Sequence, residues 1–303
     1  MEENEFTYID RISAIKEADK RFDLRTNAYV SFSGGKDSTI LHHLLDLAIP
    51  GNSIPRVFID TGIEYKAIRD YVYSLAEKDA RIQIIKPTKP IKEVLEKHGY
   101  PFKSKEFSHL YAVFQRSGKT KSVLKFLDEY SGANNRAVVC PATLKPLFDD
   151  KPVPFKVSDE CCLRLKKKPI KKWEKENNRH LAMTGMRREE GGQRMSLKGC
   201  IITDKDGNAV KFHALLNVTD EWEDWFIDKF QVKLCELYYP PFNFKRTGCR
   251  GCPFSLKLQE QLSLMEIYLP NERKACEVIW KPVYDLYREL DYRLDKNEQG
   301  KLF

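Results

Sequence analysis

Two groups of residues in this sequence have the types and spacing for chemistry. The first is the run Val30-Ser-Phe-Ser-Gly-Gly-Lys-Asp-Ser-Thr39. Set between a strand and a helix, such a run turns backbone N–H groups toward an anion, and the helix dipole reinforces them. Gly34 and Gly35 let the backbone approach a phosphate closely. Lys36 adds a full charge, and Ser33 and Ser38 add hydroxyl donors. It is not a Walker A loop, which needs Gly at position 30, where Val stands, and Ser or Thr directly after the lysine, where Asp37 stands. The bland alternative, a glycine turn before an ordinary helix, leaves the six-residue string 33–38 unexplained. Farther along, Gly185-Met-Arg-Arg-Glu-Glu-Gly-Gly-Gln-Arg194 follows another predicted strand. The guanidinium groups of Arg187 and Arg194 suit bidentate capture of phosphate or sulfate. A solvated basic turn, partnered by Glu189 and Glu190, is the competing reading.

The second group is made of cysteines. There are eight, and with no export signal they point to metal ligation or redox chemistry rather than a disulfide framework. Cys161 and Cys162 are adjacent; after 86 intervening residues Cys249 and Cys252 form a C-x-x-C. Ser158-Asp159-Glu160 reads as a helix start, which would put the adjacent pair in a first turn where the dipole lowers thiol pKa values. Arg164, Lys166, Lys167 and Lys168 would offset thiolate charge, and Thr247-Gly-Cys-Arg-Gly-Cys-Pro253 is a glycine turn that lets two thiolates converge. Four cysteines also suit tetrahedral zinc, but adjacent ligands fit zinc's usual spacer poorly, whereas an iron–sulfur cubane offers separate iron corners. Cys140, Cys200, Cys235 and Cys276 stand alone and read as small buried hydrophobes.

The elements that must hold these residues alternate. A helix is expected over 8–21, a buried strand over 28–32 and a helix over 39–47. A strand at 56–59, a helix at 66–77 and a strand at 81–85 follow. Helices are predicted at 91–98 and 105–116, loops or an insertion over 118–157, and a strand at 180–184. From 238 onward, turn signals give way to helical periodicity. This alternation predicts an α/β fold: a parallel twisted sheet with helices on both faces, plus a helical, cysteine-containing C-terminal segment. Ligands bind such sheets at the strands' carboxyl ends. Two parts are expected: 1–240 as the nucleotide-binding α/β domain carrying Cys161 and Cys162, and 241–303 with the C-x-x-C.

Composition sets the bounds. Charged residues are 32% and hydrophobic ones 42% of 303 residues, enough for a sizeable core. No window has the apolar run of a membrane span and the start is acidic, so a cytoplasmic protein with no membrane partner is expected. The net charge of +8 is compatible with an anionic partner but is spread along the chain. The lysines through Lys172 could touch nucleic acid, though a solvated face explains them as well.

The string Ser33-Gly-Gly-Lys-Asp-Ser38 resembles the PP-loop of the ATP pyrophosphatase superfamily, and later segments resemble its phosphoadenosine phosphosulfate (PAPS) reductase branch. Phe58-Ile-Asp-Thr-Gly-Ile-Glu64 is similar to that branch's second-strand motif. Residues 185–194 are similar to its Gly-x-Arg-x-x-Glu-Ser-x-x-Arg motif, with Gly191 where Ser is expected. The resemblance spans about residues 28–255. It implies an adenine nucleotide alpha hydrolase-like fold that binds ATP, or adenylylsulfate (APS) or PAPS, through Ser33, Gly34, Gly35, Lys36, Asp37, Ser38, Asp60, Thr61, Gly62 and Gly185. Lys36, Asp37, Arg187 and Arg194 are the implied catalytic residues, and Asp37 or Asp60 would help hold Mg²⁺. The Cys-Cys…Cys-x-x-Cys layout resembles the [4Fe–4S] signature of APS reductases, which implies a cluster on Cys161, Cys162, Cys249 and Cys252, with zinc as the alternative. Those reductases also use a cysteine in a Glu-Cys-Gly-Leu-His-like segment near the C-terminus, and this sequence ends without one. The resemblance therefore favours ATP-dependent, adenylating sulfur transfer, with a sulfur or electron donor protein and DNA or tRNA as acceptor options. APS or PAPS reduction to sulfite is one alternative. A non-catalytic nucleotide-binding accessory protein of a nucleic-acid modification system is another.

Overall fold

The structure, a computed structural model, describes residues 3–132, 138–191 and 194–296. In chain order the elements are α1 (Glu3–Phe22), α2 (Leu24–Asn27), β1 (Ala28–Ser31), α3 (Lys36–Ala48), β2 (Arg56–Ile59), α4 (Lys66–Ala76) and β3 (Ile82–Ile85). They continue with α5 (Ile91–His98), α6 (Lys105–Ser117), α7 (Lys121–Leu127), α8 (Glu160–Cys162) and α9 (Lys168–Glu176). Last come β4 (Leu181–Thr184), β5 (Ile201–Thr203), β6 (Ala209–His213), α10 (Asp220–Lys229), α11 (Leu258–Tyr268) and α12 (Pro270–Glu289).

Two compact units interleave along the chain. The first comprises Met1–Asp60, Glu64–Lys86 and Pro169–Gly248; the second comprises Thr61–Ile63, Pro87–Lys168 and Cys249–Phe303. Cys161 and Cys162, expected within a domain ending at residue 240, therefore lie in the same unit as Cys249 and Cys252.

The first unit carries a six-stranded sheet ordered β3-β2-β1-β4-β6-β5. Every neighbouring pair is parallel except β5 and β6, which form an antiparallel edge. Val30 aligns with Arg56 on one side and Met183 on the other. Strand order reverses at β1, so the segments leaving β1 and β4 emerge side by side at the switch point, where α/β sheets bind ligands. Tyr29, Val57 and Ala182 pack against Trp173 and Ile170 of α9. Ala28 and Val30 point to the opposite face by strand alternation and are fully buried too. Both faces are thus covered, as a parallel sheet requires.

The second unit has an aromatic core. Phe107 and Tyr111 of α6 stack with ring centroids 5.7 Å apart, and Phe126, Phe148 and Phe102 crowd around Phe107 at 5.4 to 5.9 Å. Two features differ from expectation. The segment 118–157, expected as loops, contains α7 and a 3-10 turn at Ala142–Phe148, because Val123, Phe126 and Leu127 bury one helical stripe. In the first unit, the β5–β6 hairpin was not foreseen. Its turn is held by the Asp204 carboxylate, which accepts from the N–H groups of Asp206 and Asn208 at 2.9 Å.

Candidate active site

The candidate phosphate loop is built where β1 runs into α3. Gly34 has φ +70°, and a Cβ there would sit 2.6 Å from Val72 Cγ2, so only glycine fits. Gly35 caps α3 with extended backbone and no side-chain cap. Donors of this loop are satisfied internally. Ser33 N–H donates to Ser38 Oγ (3.2 Å), Gly35 N–H to Ser33 Oγ (3.3 Å), and Lys36 N–H to the Tyr238 hydroxyl (3.1 Å). The Tyr238 hydroxyl in turn lies 2.5 Å from Thr247 Oγ1. Burial pushes the Tyr238 phenol up to about 12, so it stays a neutral partner.

Arg187 follows β4 and is buried beside the loop. Its Nε donates to Asp37 Oδ1 at 2.8 Å and its Nη1 to Glu189 Oε2 at 3.1 Å. The turn that carries it passes close to the helix: a Cβ on Gly185 would meet the Asp37 carbonyl oxygen at 2.7 Å. Lys36 and Arg187 converge on one atom, Glu223 Oε2 of α10, at 2.9 and 3.2 Å. Asp220 and Asp224, on the same helical face as Glu223, approach Lys36 Nζ at 3.8 and 3.7 Å. Burial works against the Lys36 ammonium, but Glu223, Asp224 and Asp220 outweigh it and hold its pKa above the ordinary lysine range. Arg187 is held higher in the same way, with Glu223 its strongest support against burial.

The other implied residues are placed differently. Arg194 faces Glu190 at 2.7 Å, a carboxylate that also has Arg246 at 3.4 Å. Asp60 is enclosed at the end of β2, accepting from Arg69 Nη2 and Tyr73 Oη at 3.0 Å each. Asp37 is engaged by Arg187, so neither carboxylate expected to help with Mg²⁺ stands without a cation or donor. Thr61 and Gly62 belong to the second unit. Sequence reasoning missed Tyr238, Thr247 and the α10 carboxylates. A signal for the last was present: Asp220, Glu223 and Asp224 have the i, i+3, i+4 spacing of one helical face, behind an N-cap at Thr219.

In the second unit, α8 carries Cys161 and Cys162 and runs into a π-helical turn at Leu163–Lys167. Such turns concentrate at functional sites. The expectation that a helix start lowers both thiols is not met. The two thiols share a hydrogen bond that lowers Cys162, helped by Lys105, Lys166 and Lys167, while the same bond and burial push Cys161 up. Cys249 and Cys252 come from the glycine turn, where Cys252 N–H donates to the Cys249 carbonyl at 3.2 Å. Gly251 has φ +58°, and a Cβ there would sit 2.8 Å from Cys276 Sγ. Residues of α12 clamp this turn: Trp280 Nε1 donates to Arg250 O at 3.1 Å, Tyr284 Oη to Gly251 O, and Tyr287 Oη to Pro253 O at 2.9 Å. Burial pushes Cys252 up to about 12, with the charges of Cys249 and Cys162 adding to it. The four thiols are therefore within electrostatic reach of one another.

Among the described residues, no three His, Cys, Asp or Glu side chains are grouped to hold a single metal ion. A cubane places each cysteine on a different iron, which asks for a wider spread of sulfurs than one ion does. Thiols that perturb one another, with Lys105, Lys166 and Lys167 acting on Cys162, fit that group's donor chemistry and charge. Cys140 and Cys276 are buried, and burial pushes each thiol up to about 11, which is unlike an attacking thiolate.

Comparison with known proteins gives three kinds of likeness. Residues 27–139 and 143–255 match the family described as the phosphoadenosine phosphosulfate reductase domain. An uncharacterized protein of Methanocaldococcus jannaschii is 28% identical over 261 residues, 84% of this chain and 48% of that protein, so the chain spans about half the length of this curated relative. Among solved structures, a PAPS reductase from Candida auris has a TM-score of 0.43 at 16% identity, covering 74% of this chain and 81% of that one. A U34-tRNA thiolase from Methanococcus maripaludis with its [4Fe–4S] cluster has a TM-score of 0.37 at 14% identity, covering 93% and 79%. An NH3-dependent NAD synthetase from Campylobacter jejuni has a TM-score of 0.41 at 14% identity, covering 100% and 98%. At these scores the structural likenesses add nothing to what the site itself supports. No helix among the described residues is long and apolar enough to cross a membrane.

Proposed function

The chain belongs to the phosphoadenosine phosphosulfate reductase domain family, and from that premise we propose that it uses ATP to adenylate an acceptor for sulfur transfer. The observation that carries this reading is the pairing of Lys36 and Arg187, both within 3.2 Å of one carboxylate oxygen, beside a loop only glycine can form. A half-buried lysine and a buried arginine, just beyond the ends of adjacent parallel strands, suit a polyphosphate. An acceptor oxygen attacks the α-phosphorus of ATP, the bond to the α,β-bridging oxygen breaks, and pyrophosphate leaves. Lys36 stabilises the charge that develops on it, and Arg187 orients the same phosphates. A sulfur nucleophile then displaces AMP from the activated acceptor.

Cys161, Cys162, Cys249 and Cys252 would hold a [4Fe–4S] cluster, which when bound supplies redox and sulfur-carrying chemistry. A donor protein would deliver the sulfur or electrons, and Mg²⁺ would accompany the nucleotide. A nucleic-acid acceptor, DNA or tRNA, accords with the net charge of +8. Family membership also favours a second reading, reduction of APS or PAPS to sulfite. The burial and raised pKa of Cys140 and Cys276 weigh against it, because neither offers a ready thiolate to attack sulfur.

The test is a thermal titration of anaerobically purified protein with Mg·ATP, APS and PAPS. A ligand at 100 times its Kd adds about 2.7 kcal/mol to stability. Selective stabilisation by Mg·ATP is expected. Selective stabilisation by APS or PAPS would replace the adenylation reading with the reductase one, and no stabilisation by any of the three would remove the nucleotide altogether.

A further inference from the structure

We propose that Glu223 is an exchangeable counter-ion of the phosphate loop: it holds Lys36 and Arg187 in the free protein, and when a nucleotide's phosphates take over those cations, Glu223 takes up a proton. This rests on reading residues 33–38 as the phosphate site.

Glu223 is 0% exposed, yet neither of its carboxylate oxygens receives a well-directed hydrogen bond. Its stabilisation comes from two cations, Lys36 Nζ at 2.9 Å and Arg187 Nη2 at 3.2 Å. A buried carboxylate is costly to keep ionised unless cations remain beside it. Those two cations are the ones a phosphate would claim. A phosphate arriving there offers Lys36 and Arg187 more charge than one carboxylate does, and sets its own negative field against Glu223. Both changes favour the neutral acid. The loop is already arranged for exchange, since the Tyr238 hydroxyl likewise occupies the Lys36 N–H that an anion would use.

The charged groups around Glu223 come from each neighbouring part. Lys36 and Asp37 lie on α3, and Arg187 on the turn after β4. Asp220 and Asp224 share its own helix and approach the same lysine. Helix α1 also packs on α10, but its charged contact is Glu5 with Lys229 at the helix's far end. Burial and the Asp37 carboxylate lift Glu223 to about 8 even with both cations present, so it is ionised, and able to accept a proton, above about pH 8. The balance is simple: one O–H bond forms on the carboxylate, and the proton comes from the buffer.

The experiment is calorimetric titration of the anaerobic protein with Mg·ATP at about pH 8.5, in two buffers of different ionisation enthalpy. Uptake of roughly half a proton or more per nucleotide is expected, because most of the free carboxyl is then ionised and most of the bound carboxyl is not. Glu223→Gln keeps the shape and should abolish this uptake while still binding ATP. Asp224→Asn, at an exposed carboxylate on the same face, should retain it. Binding without proton uptake in the wild type, or uptake that survives in Glu223→Gln or vanishes equally in Asp224→Asn, would overturn the assignment. Absence of ATP binding, or binding unaffected by Lys36→Ala, would instead sink the phosphate-site reading beneath it.

Discussion

The candidate phosphate loop is six consecutive residues, 33–38, whereas the four cysteines come from two segments with 86 residues between them. The loop's geometry is local: a left-handed glycine, a helix start and two serines hydrogen-bonded across the turn at 3.0 Å. The four cysteines share one unit, where α12 clamps the turn at 249–252 and α8 carries the adjacent pair. The electrostatics also run in opposite directions. At the loop, cations are gathered and carboxylates from α10 neutralise them; at the cysteines, potential anions are gathered and Lys105, Lys166 and Lys167 answer them. A contiguous motif can thus be read without its neighbours, but the state of its charges cannot.

Substitutions in one region and not the other sharpen that contrast. The largest effect expected is at the cysteines: Cys249→Ser should abolish bound iron, measured by metal analysis and the visible absorbance of the anaerobic protein, while ATP binding persists. Full iron content would refute the four-cysteine assignment, and loss of ATP binding as well would erase the independence of the two sites. Next is Lys36→Ala, which should lower nucleotide turnover by about 10²- to 10³-fold, the scale of losing one preorganised charge partner. Its iron content should stay normal; turnover within a few-fold of wild type would remove Lys36 from the chemistry. A smaller effect is expected for Gly34→Ala, where strain and the approach to Val72 should cost about 1 to 3 kcal/mol in a denaturant titration. An unchanged midpoint would show that the turn tolerates a side chain.

The smallest effect concerns pH. The folded value of Glu223, about 8, lies above the ordinary 4.5, so across that window the folded state holds a proton that the unfolded chain has released. Its contribution to stability is fully present below about 4.5 and is lost as pH rises through about 8. Thermal denaturation should therefore show a decline in stability over this range that Glu223→Gln flattens. Parallel curves for the two proteins would place the buried carboxyl at an ordinary pKa.

The sheet was legible because its strands are short apolar runs, each followed by a turn signal, and the observed β1 to β4 fall where the alternation put them. The β5–β6 hairpin was not, since Ile201–Thr203 is a three-residue, partly exposed edge strand with little periodicity, although Asp206-Gly207 marked its turn. Helix α7 hid in a segment whose glycine and proline content suggested loops, and its seven residues are too few to show a clear stripe. Of the site, Lys36, Arg187 and the glycines were readable from their own motifs. Glu223 was not, because its meaning comes from facing Lys36 across 187 residues of chain, a relation that only folding creates.

The most direct test of the central claim is ATP affinity measured side by side for wild type and Lys36→Ala, with iron content verified equal in both. The account predicts a weakening of at least about tenfold in the variant, since 1.4 kcal/mol of lost charge pairing already gives that factor. Equal affinities would contradict it, and would mean that the glycine loop after β1 is not where the nucleotide's phosphates bind.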